Sequence, residues 1–228
     1  MSARFFSDTP LTLGAITLSG PEAHHLLHVM RAAVGAELTL FDGRGSEFPA
    51  RITRLGRNDF ECEVLAEERV DRERAAPLTL AVALPKGDRQ KVLVEKLTEL
   101  GVSRLVPLLT ERSVADKSAG GLEKLRRLVI EASKQCGRNR LMEITQPLAW
   151  AEYVASAAAP LRVIAHPVDD SSEQLPPSVE SIAAIGPEGG FSDSEVELAV
   201  KSGWQRVSLG PRILRIETAA IALAAKLI

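Results

Sequence analysis

Residues 181–195, SIAAIGPEGGFSDSE, decide how this chain folds. The apolar run 181–185 predicts a short buried strand, and the run 192–195 is a capping box that predicts the start of a helix. Three glycines and a proline lie between the two, where they let the backbone approach a ligand closely and leave main-chain amides free. The stretch therefore predicts a strand, a ligand-binding loop and a helix within an α/β domain.

A second glycine turn follows only one helix and one predicted strand (206–209) later. It reads LGPRILR over residues 209–215 and leads into the last predicted helix, 217–228. Neither turn carries the Lys-Ser/Thr pair of a phosphate loop or the G-x-G-x-x-G of a dinucleotide site, so a triphosphate is not expected. Two readings stay open: the turns face each other and hold an adenosine by main-chain groups, or both are plain tight turns of a sheet.

Four segments resemble one family, ribosomal RNA small subunit methyltransferase E of the SPOUT superfamily. They are IGPEGGFS at 185–192, LGPRILRIETA at 209–219, KGDR at 86–89 and TELGV at 98–102. The resemblance implies methylation of N3 of a uridine in 16S rRNA of the small ribosomal subunit, with S-adenosylmethionine as cofactor. It also implies a parallel sheet with a trefoil knot, an exception to the rule that chains are not knotted.

The resemblance also implies site residues. Its cofactor-binding set is His166, Pro167, Ile185, Gly186, Pro187, Glu188, Gly190, Leu209, Gly210, Ile213 and Leu214. Its RNA-binding set is Arg4, Arg31, Lys86, Arg89, Arg138 and Arg140. The sequence departs from the family at Ile216, where Thr is usual, and at Met142, where Pro is common. The first departure leaves open any role for a hydroxyl at that position.

Two residues beside the second glycine turn are the catalytic candidates. Arg215 can stabilise an anionic uracil, because a planar guanidinium donates to its carbonyl oxygens. Glu217, or alternatively Glu188, can accept the N3 proton directly or through water. The alternatives are a surface arginine and a carboxylate that only serves a helix start.

Composition places the chain among ordinary globular proteins. It has 228 residues, 45% of them hydrophobic and 25% charged, with a net charge of -2. The apolar runs are shorter than a membrane span and no signal peptide is recognisable, so a cytoplasmic protein without membrane contact is expected. Cys62 and Cys136 have no metal or redox spacing and are expected to be reduced. We predict no bound metal.

Residues 1–70 predict a separate β-rich domain that the resemblance identifies as a PUA-like RNA-binding barrel. Predicted strands lie at 37–41, 47–55 and 59–65, and a capping box at Ser19 predicts a helix to about residue 32. His24 and His28 have a spacing that can bind metal, but no further ligand is in view. Residues 67–76 are charged, aperiodic and end before a proline, which indicates a linker.

Residues 77–228 alternate apolar strands with helices, which predicts a parallel sheet covered on both faces. A helix capped by Asp88 follows the first strand, and residues 113–121 predict a lid or an RNA-gripping loop. The last helix is apolar on nearly all sides, which predicts full burial and a homodimer interface. The competing functions are a non-catalytic RNA-binding or ribosome-assembly protein and a nucleotide hydrolase.

Overall fold

The computed structural model describes residues 3–113, 119–167 and 179–228. The chain forms two compact units: the first comprises Met1–Glu73 with Ser133–Leu141, and the second Arg74–Ala132 with Met142–Ile228. The segment 133–141 therefore belongs to the first unit, although the sequence boundaries placed it in the second domain. Most of the predicted lid lies outside the described residues, as do residues 169–177, whose polar sequence predicts a connector.

The first unit is built on a five-stranded sheet. Its strands, in chain order, are β1 (Ala3–Phe6), β2 (Gly14–Ser19), β3 (Glu37–Phe41), β4 (Glu47–Leu55) and β5 (Asp59–Val64). Their order in the sheet is β1-β3-β4-β5-β2, with β1 parallel to β3 and the other pairs antiparallel. Alternate residues of β5, Phe60, Cys62 and Val64, enter the core. Burial raises the pKa of the Cys62 thiol to about 11.

The helix of the first unit begins after Ser19, as predicted, but its cap and its continuation differ from the prediction. α1 (Gly20–His24) passes directly into a π-helical turn, His25–Met30, which ends at Arg31 in a left-handed conformation with φ 53°. The predicted capping box is wrong, because the Ser19 side chain makes no cap hydrogen bond. Pro21 supplies no amide there, and the Glu22 carboxylate instead pairs with Lys134 at 3.0 Å.

The second unit contains a parallel sheet, as predicted. Its strands are β6 (Leu78–Val82), β7 (Arg104–Leu109), β8 (Glu143–Ile144), β9 (Leu148–Ala149), β10 (Leu161–Ala165), β11 (Ser181–Ile185) and β12 (Gln205–Val207). The order is β12-β10-β11-β6-β7-β8, and β9 also pairs with β7. Strand β11 is buried along its whole length, as expected for the centre of a parallel sheet. The strand order alone does not describe a knot, so the trefoil stays a prediction.

Five helices accompany this sheet among the described residues. They are α2 (Asp88–Glu99), α3 (Ala119–Cys136), α4 (Trp150–Ser156), α5 (Asp193–Lys201) and α6 (Ile216–Leu227), the last turn of α3 belonging to the first unit. The capping box of α5 is confirmed, since Ser192 and Glu195 bond reciprocally. Asp88 is the first helical residue of α2 and not its cap: the cap is Gly87, at φ 64° and ψ −142°, and no side chain bonds there.

Helix α6 is less buried than its composition indicated. Within one chain, one face packs against α2, β6 and β11, while Thr218, Ala225 and Lys226 are exposed. None of the helices in the described ranges is both long and apolar enough to cross a membrane.

Candidate functional site

The candidate site lies at the carboxyl ends of five neighbouring parallel strands, where ligands of open α/β sheets bind. The loops there follow β12, β10, β11, β6 and β7 in sheet order. They carry the predicted cofactor residues and two of the predicted RNA-binding residues, Lys86 and Arg89. The parallel topology thus gathers segments that are far apart in sequence at one edge.

The first glycine loop, 186–190, is tightly built. A Cβ on Gly186 would lie only 3.0 Å from the backbone nitrogen of Phe191, so this position has no room for a side chain. Gly190 has φ +70° and donates its amide to the Pro187 carbonyl at 2.8 Å. The Phe191 ring packs against Trp150 with a centroid distance of 4.6 Å and fixes the far end of the loop.

The neighbouring loops hold this glycine loop from the side. Arg89, in the first turn of α2, pairs with Glu188 at 3.2 Å. Arg112, after β7, donates from Nη1 to the Gly189 carbonyl at 2.8 Å, and the Glu111 amide donates to Glu195 at 2.9 Å. Sequence reasoning missed Arg112, because its partner, the Gly189 carbonyl, lies 77 positions away and no local pattern marks it.

The second glycine loop, 208–215, is open. Gly210 has φ +101° with no atom within 4 Å of the place where a Cβ would stand, and its amide donates to Ser208 Oγ. Ile213 is 100% exposed. Arg215 is the N-cap residue of α6, and its exposed side chain makes no cap hydrogen bond. The open space at Gly210 and the exposed side chains of Ile213 and Arg215 leave this loop accessible to a ligand.

His166, after β10, joins this loop to the strands. Its amide donates to the Val207 carbonyl at 3.1 Å. Partial burial, with a further contribution from the Arg206 cation, lowers the pKa of the imidazole below its usual 6.5. The lowered pKa favours the neutral imidazole, in which one ring nitrogen donates a hydrogen bond and the other accepts one.

Glu217 is the unusual residue of the site. It lies in the first turn of α6, is only 7% exposed, and its Oε2 is buried without a hydrogen-bond partner. The competing candidate Glu188 has a side chain that is 58% exposed and paired with Arg89. Of the two candidate bases, only Glu217 is buried with an uncommitted oxygen.

The predicted RNA-binding arginines of the first unit fall into two groups. Arg31 and Arg140 are exposed. Arg4 contacts Glu47 at 2.9 Å and Asn139 at 2.6 Å, while Arg138 is 4% exposed and pairs with Glu73 at 2.7 Å. These two guanidiniums hold the segment 133–141 on the first unit, which is a structural task.

Glu47 is the centre of this ion-pair network. It accepts from Arg72, Arg4 and Asn139. The hydrogen bond from Arg72, reinforced by Arg4 and Asn139, lowers the pKa of Glu47 from 4.5 to about 2. The carboxylate is consequently ionised at any physiological pH.

His24 and His28, whose spacing can bind metal, contact each other through tilted rings with centroids 4.8 Å apart. Within the ranges 3–113, 119–167 and 179–228, no three acidic, histidine or cysteine side chains are grouped so that they could hold a metal ion.

Comparisons with known proteins agree on one family. Residues 72–228 match the family described as an RNA methyltransferase domain, and residues 18–65 match an RNA methyltransferase PUA domain. Ribosomal RNA small subunit methyltransferase E of Synechocystis is 35% identical over 92% of this chain and 71% of that protein. The Bacillus subtilis protein of the same name is 29% identical over 90% of this chain and 86% of its own length.

Two solved structures are similar over nearly the whole chain. A putative methyltransferase from Legionella pneumophila, in complex with bound S-adenosylmethionine (SAM), has 34% identity and a TM-score of 0.93, covering 99% of this chain and 96% of that one. A ribosomal RNA small subunit methyltransferase E from Neisseria gonorrhoeae, also bound to SAM, has 31% identity and a TM-score of 0.88 with the same coverage.

Proposed function

Because the chain belongs to the ribosomal RNA small subunit methyltransferase E family, we propose that it methylates N3 of one uridine in 16S rRNA of the small ribosomal subunit, with SAM as methyl donor. The observation that carries this proposal is the pair of SAM-bound neighbours that match this chain over 99% of its length. The N3 position follows from the family resemblance in the glycine loops.

The residues at the site fit this cofactor. Gly190 and Gly210 leave open space where side chains would stand, so a ligand can contact the backbone. The proposed cofactor-binding residues are His166, Pro167, Ile185, Gly186, Pro187, Glu188, Gly190, Leu209, Gly210, Ile213 and Leu214. SAM supplies an activated methyl group on its sulfonium, so the chain has to position two reactants and needs no nucleophile of its own.

The acceptor requires help with charge, since N3 of uracil carries a proton that must leave. We assign proton acceptance to Glu217, whose buried Oε2 has no other partner, in preference to Glu188, which is paired with Arg89. We assign stabilisation of the anionic uracil to Arg215, which is exposed at the start of α6. The target uracil must also be unpaired or flipped out of its helix before it can enter the site.

RNA binding is assigned to exposed cations of both units. Arg31, Lys86 and Arg140 are exposed, and Arg89 is half-buried beside the first glycine loop. Phosphate contacts of this kind supply affinity but no sequence information. Arg4 and Arg138 contribute to RNA binding only indirectly, by holding the segment 133–141 on the first unit. Their guanidiniums are paired with Glu47 and Glu73 and are not available to phosphates.

We further propose that the protein acts in the cytoplasm as a homodimer, with residues 1–70 as the RNA-binding domain and 77–228 as the methyltransferase domain. The partly exposed apolar residues Ile221 and Ala222 on α6 support the dimer.

The test of the function is mass-spectrometric mapping of 16S rRNA from a strain that lacks the gene. One methylated uridine should be missing, and purified protein with SAM should restore it on isolated rRNA or small subunits. A complete methylation pattern in the deletion strain, together with binding of rRNA by the protein, would favour a non-catalytic assembly protein instead.

A further inference from the structure

The buried carboxylate of Glu217 needs a partner that the described part of the chain does not provide. Only 7% of the residue is exposed, and Oε2 is buried without a hydrogen bond. Glu217 shares its side of α6 with the buried residues Ala220, Ala224 and Leu227. A buried charge without a partner is expensive, and proteins retain one where a ligand completes it.

The direction of α6 places Glu217 at the ligand-binding edge. Arg74, four residues before β6, donates to the carbonyl of Leu227 at the end of α6. Its Cγ also lies 3.3 Å from where a Cβ on Gly101, just before β7, would stand. The carboxyl end of α6 is therefore at the amino edge of the sheet. Since α6 packs along β6 and β11, its first turn is at the carboxyl edge, with the glycine loops.

The other carboxylates at this edge already have functions or face solvent. Glu188 pairs with Arg89, and Glu195 completes the capping box of α5. Asp193 is exposed in the first turn of α5. Among the described acidic residues of these loops and helix starts, Glu217 alone combines burial with an unpaired oxygen.

We propose that Glu217 is the counter-charge of the SAM sulfonium and makes the site select the cationic donor over the neutral product, S-adenosylhomocysteine (SAH). This inference rests on the proposed function. The two ligands share the adenosine, the ammonium and the carboxylate, and they differ in the methyl group and the positive charge on sulfur. A carboxylate that pairs with the sulfur favours SAM, whereas one that pairs with the shared ammonium favours neither.

The selection has a consequence for turnover. As the methyl group is transferred, the sulfur loses its positive charge and Glu217 takes up the N3 proton, so the ion pair no longer exists and the product is held less tightly than the donor was. Release of SAH is thereby favoured by the same residue that helped to bind SAM.

Calorimetry with three probes tests the proposal: SAM, SAH and sinefungin, in which an amine-bearing carbon replaces the sulfonium. Wild-type protein should bind SAM and sinefungin more tightly than SAH. Glu217→Gln should lose on the order of tenfold in affinity for both cationic probes and little or nothing for SAH. Glu197→Gln, which removes the same charge from an exposed ion pair on α5, should leave all three affinities unchanged.

Other outcomes overturn the proposal in distinguishable ways. Equal losses for SAM and SAH in Glu217→Gln would assign the carboxylate to the shared ammonium, and no loss for any of the three probes would show that Glu217 pairs with none of them. If the variant does not fold, wild-type protein decides alone: SAH binding as tightly as both cations refutes the proposal. Failure of wild-type protein to bind any of the three would refute the proposed function itself.

Discussion

At the scale of single residues, neighbouring glycines of the first loop have different constraints. A Cβ added to Gly186 would lie 3.0 Å from the Phe191 backbone nitrogen. A Cβ added to Gly189 would have Arg112 Cδ as its nearest neighbour at 3.4 Å, which is an ordinary contact. We expect Gly186→Ala to destabilise the protein by about 1 to 3 kcal/mol and to weaken SAM binding, because the loop must shift. Gly189→Ala is the matched control and should stay within about 0.5 kcal/mol. Thermal unfolding and calorimetry measure both, and equal behaviour of the two variants would contradict the packing argument.

Substitution of Arg215 tests whether this residue acts in the methyl-transfer step. We expect Arg215→Lys to keep its affinity for SAM and most of its affinity for RNA, yet to react on the order of a hundredfold more slowly, because an ammonium cannot replace the planar donor. The measurement is single turnover with enzyme and RNA both saturating. A wild-type rate under these conditions would make Arg215 a phosphate contact.

Arg31 is the one non-glycine residue with positive φ in the described ranges. A glycine at this position removes the charge without straining the backbone, so an effect on RNA binding can be separated from an effect on folding. Arg31→Gly should fold at least as stably as wild type, since glycine adopts this conformation without a steric penalty. It should also bind rRNA more weakly, with a slope of log affinity against log salt that is smaller by about 1. An unchanged salt slope would remove Arg31 from the RNA-binding surface.

The sequence could identify some site residues and not others. Glycine loops are visible because few residues adopt their conformations, and Arg215 and Glu217 were proposed from the chemistry that the family resemblance implies. Arg112 could not be distinguished from any surface arginine, since its task depends on the Gly189 carbonyl, 77 positions away. The burial of Arg138 was equally hidden, because its partner Glu73 lies 65 positions away in the chain.

At the scale of elements, buried strands were predicted best. The predicted limits of β3, β4 and β11 coincide with the observed ones, because alternating or continuous burial leaves a clear pattern in the sequence. The π-helical turn 25–30 was not predictable, since it depends on distant contacts such as that between His25 and Phe5, whose ring centroids lie 6.2 Å apart. Both helix starts were located to within one residue, but their caps were predicted wrongly: the Ser19 side chain makes no cap bond, and Gly87, not Asp88, is the N-cap of α2.

The ion-pair network around Glu47 makes the first unit sensitive to acid. Because the folded-state pKa of Glu47 is about 2 against an ordinary 4.5, its contribution is complete above pH 4.5 and is lost as the pH falls toward 2. The shift corresponds to about 3 kcal/mol. Glu47→Gln should therefore be less stable than wild type at pH 7, and the difference should disappear near pH 2.

Hydrogen exchange of amides in the first unit, followed from pH 7 downward, measures this effect. Tryptophan fluorescence would not, because both tryptophans lie in the second unit. Glu37→Gln is the control: its exposed pair with Arg51 should contribute less than about 1 kcal/mol. If both variants respond to acid alike, the network around Glu47 is not the cause.

At the scale of the whole molecule, the proposed dimer can be tested on α6. Leu223 is wholly buried within one chain, so a charge there would disrupt folding itself, but Ile221 is only half-buried. We expect Ile221→Glu to remain folded and to convert a dimer into a monomer in light scattering, because it would bury an unpaired charge between subunits. Val200→Glu, on exposed α5 surface, should stay dimeric. A monomeric wild type at micromolar concentration would end the idea.

Fold class was predictable at this scale, and the exact membership of the two units was not. Alternating strands and helices indicate a parallel sheet wherever they occur. The assignment of 133–141 to the first unit depends on pairs such as Arg4 with Asn139, which leave no pattern in the local sequence.

The segment 133–141 belongs to the first unit although the residues on both sides of it belong to the second, and this affects the order in which the units can fold during synthesis. A growing chain releases residues 1–73 first, but the first unit is not complete until Leu141 has followed. At ordinary rates of synthesis this delay is roughly 3 to 14 s. During that time Arg4 and Glu73 lack their partners Asn139 and Arg138, and strands β6 and β7 of the second sheet are synthesised. The two units therefore mature together during translation, and an evolutionary exchange of the N-terminal module would have to carry a second, internal piece of the gene with it.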